Sequence, residues 1–165
     1  MKTWLSTLAL LGLCSSALVV AAEPEKIRDF ELTDQHGAAR AYRFPKDKVT
    51  VMTLADHKGS DQLEPWIQRV FDRYGKRIDI DGVADMSTVP KPLRGMIQNA
   101  FRKKLTYSVM LDWTGPVVRQ FPARKGVANI YVIDRRGRIV AQLSGAVTDD
   151  AARSLFTEID RAMGD

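Results

Sequence analysis

The chain has 165 residues, 25 lysines and arginines against 20 acids for a net charge of +5, and one cysteine, Cys14. That length suits one domain with a real core and is short for two. Thiol–disulfide exchange needs a thiolate nucleophile and thiol-based peroxide reduction starts at a cysteine sulfur, so everything after Cys14 is excluded from both chemistries.

Lys2 precedes an uncharged apolar run of 19 residues from Trp4 to Ala22. Val20-Ala21-Ala22 puts small residues where signal peptidase cuts, and Glu23-Pro24-Glu25-Lys26 follows, so residues 1–22 read as a signal peptide. The rival reading is an uncleaved anchor, since about 20 apolar residues span a bilayer; Ser6, Thr7, Ser15 and Ser16 weaken it as a span. A lipoprotein signal needs a small residue before the cysteine, and Leu13 stands there. The expected mature domain is residues 23–165, periplasmic or secreted, with a net charge of +4. Export permits disulfides, yet this domain must hold together by packing alone. Its charge reads as solvated surface spread along the chain, with anionic lipid or cell-wall polymer the natural partner if it has one; nucleic acid is not expected.

Phe30-Glu31-Leu32-Thr33-Asp34 before Gln35-His36-Gly37 reads as a short strand entering a turn. Lys48 to Ala55 is an apolar, β-branched run, the pattern of a buried central strand. Trp66, Ile67, Val70, Phe71 and Tyr74 recur at helical spacing until Gly75 closes the helix. Ile78, Ile80 and Val83 suggest the next strand. Pro90 and Pro92 open a second helix with a buried stripe of Leu93, Ile97, Ala100 and Phe101, and Arg102-Lys103-Lys104 suits its negative end. Ser108 to Leu111 is a short strand ending at Asp112. Ile130–Ile133, the Asp134–Gly137 turn and Arg138–Ala141 form a hairpin. Thr148 caps a last helix whose inner face carries Val147, Ala151, Leu155, Phe156, Ile159 and Met163. The order βαβαβ, hairpin, helix predicts an α/β sandwich in three layers, with a mixed central sheet of about five strands and helices on both faces.

Three segments carry a resemblance. Phe30 to Gly37 resembles the F-x-L-x-D-x-x-G opening of redoxins. Asp112-Trp113-Thr114-Gly115, with Val118 and Phe121, resembles the approach to their cis-proline loop. Gly126 to Val140 resembles G-V-P-T-x-x-x-I-D-x-x-G-x-I-V. The chain from about residue 27 to 163 therefore resembles the thioredoxin-like superfamily in its redoxin and peroxiredoxin branch. Such proteins present a reactive cysteine at a helix N-terminus after the first central strand. Here that stretch is Asp56-His57-Lys58-Gly59-Ser60-Asp61-Gln62, followed by Glu64-Pro65, which resembles the proline that kinks the redoxin helix. Ala128, in Val127-Ala128-Asn129, stands at the cis-proline position; a non-proline cis bond costs about 2.5–4 kcal/mol, so a trans Val127–Ala128 bond is expected. Lys48 to Met52, Lys58-Gly59-Ser60 and Gly145 to Thr148 look similar to the YtfJ-like exported proteins, which implies a small periplasmic protein of undefined activity.

The residues name no catalytic group, metal or cofactor. His57 could activate Ser60 as a nucleophile, but neighbours on one loop rarely reach that geometry. Capping by Ser60 or Asp61 is the plainer reading, and a small anion at this helix start is a middle one. His36, His57 and the methionines could suggest copper, yet thiolates are missing, and Met52, Met96, Met110 and Met163 fall on apolar faces. Trp66, Phe71, Tyr74, Phe101 and Phe156 read as core, while Trp113, with Arg119, Arg124 and Lys125 near it in sequence, is a candidate binding surface. The chain contains no Gly-rich phosphate loop, H-E-x-x-H helix or G-x-S-x-G elbow. The function expected is a cysteine-free, non-redox binding or accessory protein of the cell envelope. Its partner would be an envelope protein, a peptide or a small anion, with membrane contact only through an uncleaved leader. The alternative is an enzyme of another kind, with His57-centred hydrolysis or metal-dependent redox chemistry.

Overall fold

Six consecutive side chains, Thr50 to Ala55, are buried on both sides of one strand, which places that segment at the sheet's centre. The computed structural model describes residues 25–164. Its strands are β1 (Phe30–Asp34), β2 (Ala39–Tyr42), β3 (Thr50–Ala55), β4 (Asp79–Asp85), β5 (Met110–Asp112), β6 (Asn129–Ile133) and β7 (Ile139–Ser144). The helices are α1 (Leu63–Tyr74), α2 (Arg94–Lys104) and α3 (Asp149–Gly164). One mixed sheet runs β2-β1-β5-β4-β3-β6-β7, with β3 parallel to β4 and antiparallel to β6.

The expected count of about five strands is corrected to seven. β1 joins the sheet by pairing antiparallel with β5, and β2 folds back on β1 with Phe30 opposite Tyr42. Three of the four β2 residues are exposed, so it has no apolar alternation to announce it.

The layering is corrected too. α1 and α3 pack on one face, where Trp66, Val70, Tyr74, Leu155 and Ile159 meet Val51, Ile130 and Val132. The crossovers β3–α1–β4 and β4–α2–β5 step the same way across the sheet, so right-handed connections put α2 on that face as well. The other face, around Met52, Leu54, Val83 and Tyr131, is closed by Ile27, Val117 and Phe121 from irregular chain. The C-terminal end of α1 and the start of α3 follow the sequence signals. Gly75 ends α1 at a φ of 54°, and the Ala151 N–H donates to Thr148 Oγ1 at 3.1 Å.

α2 buries nothing. Leu93 and Ala100 of its expected inner stripe are exposed, and Ile97 and Phe101 are half-buried. Met96 is 64% exposed and Phe71 of α1 55%, so neither belongs to the core. β5 has only three residues, which leaves little sheet for a helix to cover. Polar hooks hold α2 instead: Arg94 donates to the Trp113 carbonyl at 3.0 Å, and Gln98 and Arg102 donate to the Gln35 carbonyl.

Leu155→Ala is expected to cost about 3 kcal/mol by leaving a cavity under α3, whereas Met96→Ala should stay within about 0.5 kcal/mol. Urea denaturation of both variants checks this, and similar losses would contradict the assignment of the core.

Candidate functional site

β3 and β6 run antiparallel with Leu54 opposite Asn129, so the loop leaving β3 and the loop entering β6 meet at one end of the sheet. The first loop is Asp56–Gln62 and the second Gly126–Ala128. Asp56 joins them: one carboxylate oxygen accepts the Gly59 N–H at 2.9 Å and the other the Gly126 N–H at 2.8 Å. Gln62 adds a second link by accepting the Ala128 N–H at 3.1 Å. Asn129 then braces the second loop, donating to the Val127 and Arg124 carbonyls and accepting the Arg124 N–H and the Ser144 hydroxyl.

Gly59 is buried at this junction, and space, not φ, requires glycine there. A Cβ on Gly59 would lie 2.4 Å from both the carbon and the oxygen of the Val127 carbonyl. Backbone therefore packs directly on backbone where the redoxin resemblance puts the thiol loop against the cis-proline loop. The only cis peptide bond among the described residues precedes Pro45, so Val127–Ala128 is trans, as expected.

Burial pushes the Asp56 carboxyl up, but the N–H groups of Gly59, Gly126 and Lys58, together with the Lys58 charge, outweigh it. The group is held below its ordinary value.

His57, Lys58, Ser60 and Asp61 are exposed around this closed pair, as are Arg124 and Lys125. The Ser60 hydroxyl donates to the His57 carbonyl at 2.9 Å, so the imagined serine–histidine dyad is not assembled. The expected capping by Ser60 or Asp61 is also corrected, since neither side chain caps a helix. The chain enters α1 straight from the 3-10 turn Ser60–Gln62, and its cap residue Gln62 is already helical (φ −86°, ψ −10°), leaving no extended cap position. No three His, Cys, Asp or Glu side chains among the described residues converge to hold a metal.

Trp113 stands apart from these links. It is half-buried beyond β5, with the Arg94 guanidinium 5.3 Å from its ring centre. The buried Asp112 carboxylate shapes its loop by accepting the N–H groups of Gly115, Val117 and Val118 at 2.8 to 2.9 Å. Gly126 was named in the sequence only as the start of a motif, outside the candidate site. Its partner Asp56 carries one usable signal, an aspartate three residues before a glycine, which suits a side-chain-closed turn.

No protein-family model and no curated protein matches the chain. Solved structures do. A chain named for the thiol:disulfide interchange protein DsbE of Chlorobium tepidum superposes with a TM-score of 0.64 at 18% identity, over 86% of this chain and 98% of that one. The exposed lipoprotein thioredoxin of Streptococcus pneumoniae gives 0.63 at 20%, over 79% and 99%. StoA of Bacillus subtilis gives 0.60 at 13%, over 82% and 98%. The fold is thioredoxin-like. At these identities the thioredoxin-like scaffold is shared, and the chemistry of the neighbours stays theirs. Cys14 lies outside the described residues, as does the whole expected signal peptide.

Two outcomes test this thioredoxin-like end. Gly59→Ala should destabilise the domain by about 2–3 kcal/mol, because two stretches of backbone must separate; thermal unfolding within 0.5 °C of the wild type would contradict the contact. Asp56→Ala should cost about 2 kcal/mol at neutral pH. Because the folded carboxyl titrates below its unfolded value of about 3.9, that difference should persist above about pH 5 and shrink as pH falls below 4. Equal differences in urea midpoint at pH 3 and pH 7 would remove the charge from the account.

Proposed function

We propose that the chain is a non-redox binding or accessory domain of the cell envelope, engaging an acidic peptide segment of a partner, or a small anion, over the joined Asp56 and Gly126 loops. The contact of Gly59 with the Val127 carbonyl carries this reading. It closes the ground where the resemblance calls for a reactive sulfur, and residues after Cys14 supply none. The loops also expose Lys58, Arg124 and Lys125, together with His57 and one acid, Asp61. An excess of positive charge around the loop pair favours an anionic partner and speeds its encounter. The apolar leader, the similarity to YtfJ-like exported proteins and the exposed lipoprotein among the structural neighbours support an envelope location. A Ser60–His57 dyad is disfavoured as the route to hydrolysis, since the Ser60 hydroxyl donates to the His57 carbonyl.

Crosslinked capture from an envelope fraction tests the surface. Lys58→Glu with Lys125→Glu should lose the partner, while Met96→Gln should retain it. Full recovery by the charge-reversed pair would refute the proposed rim. In parallel, residues 23–165 should reduce insulin and consume peroxide no faster than buffer, and turnover by metal-free material would overturn the non-redox assignment.

A further inference from the structure

We infer that the outward face of α2 is a docking surface for an anionic lipid membrane. The inference concerns a helix that meets the joined loops only where Lys104 approaches Asp61, and it does not rest on their reading. Between Asp85 and Asp112 the chain contains no acid, yet it carries Lys91, Arg94, Arg102, Lys103 and Lys104. These five cations stand in a stretch with no acid to offset them, so the segment that carries α2 is locally basic.

Exposed apolar groups lie among those cations. Leu93, Met96 and Ala100 recur at i, i+3 and i+7, which is one stripe of a helix. Leu93 is 43% exposed, Met96 64%, and Tyr107 just beyond the helix 40%. A domain helix ordinarily turns its apolar stripe to the core; here no α2 residue is buried and the stripe faces out. Arg94 and Arg102 hold the helix to Trp113 and Gln35, so Lys91, Lys103 and Lys104 are left at its outer ends. The acid nearest Lys104 is the exposed Asp61, at 3.9 Å.

Lysines flanking exposed leucine and methionine match the interface of an anionic bilayer, where apolar groups enter the headgroup boundary and cations stay at the surface. A soluble acidic polymer would use the lysines and leave Leu93 and Met96 idle. No helix among the described residues is long and apolar enough to cross a membrane, so the contact is peripheral. It belongs to the folded domain itself and is separate from any contact through the leader.

Vesicle co-sedimentation of the full chain tests this, because the leader is common to every variant. Binding to vesicles with phosphatidylglycerol should exceed binding to pure phosphatidylcholine by about tenfold at low salt and fall as salt screens the charges. Lys91→Gln, Lys103→Gln and Lys104→Gln together should remove most of that preference. Leu93→Gln with Met96→Gln should weaken binding to the anionic vesicles about fivefold while leaving binding to soluble polyglutamate unchanged. All five side chains are exposed, and unchanged thermal unfolding confirms that the variants are folded. Equal binding to neutral and anionic vesicles, indifference to the lysine substitutions, or indifference to the apolar pair would each overturn the inference.

Discussion

A strand that stops leaves backbone N–H groups without partners, and in this protein aspartate supplies them. β1 ends at Asp34, β4 at Asp85 and β5 at Asp112, while Asp56 directly follows β3 and Asp134 follows β6. Each accepts N–H groups from the turn it begins. Asp56 alone also accepts a backbone N–H from a distant segment, that of Gly126. This one carboxylate makes two loops a single unit, and the Gly59–Val127 contact depends on their being held so close.

That closure separates scaffold from chemistry. The resemblance places a thiol and its substrate-orienting proline at this end of the fold. Here the backbone groups of the junction are already spoken for by Asp56, Gln62 and Asn129. What remains accessible is a rim of side chains around a rigid floor, which suits recognition.

The second consequence of the architecture lies at the other side of the sheet's centre. A three-residue β5 offers α2 too little apolar surface, so the helix is pinned by arginine and glutamine to carbonyl groups. A helix freed from core duty can carry its apolar stripe and its lysines outward. The shortness of one strand thus creates an amphipathic surface that a fully covered sheet would have consumed.

The order of elements from β3 onward, the buried β3, the hairpin from β6 to β7, the glycine end of α1 and the threonine start of α3 were legible in the sequence. Local pattern carries all of them: apolar runs, helical spacing, a glycine stop and a threonine start. That no cysteine follows Cys14 is likewise read from the sequence alone. β2, the exposure of Phe71, Leu93 and Met96, and the single helical face were not, because each is set by what lies across space from the residue. Helical spacing shows that a stripe exists and is silent on whether anything covers it. Likewise Asp56 and Gly59 look like ordinary turn residues until the fold brings Gly126 and Val127 against them. Periodicity and composition determined the scaffold; tertiary contact decided which loops became one site and which helix face met water.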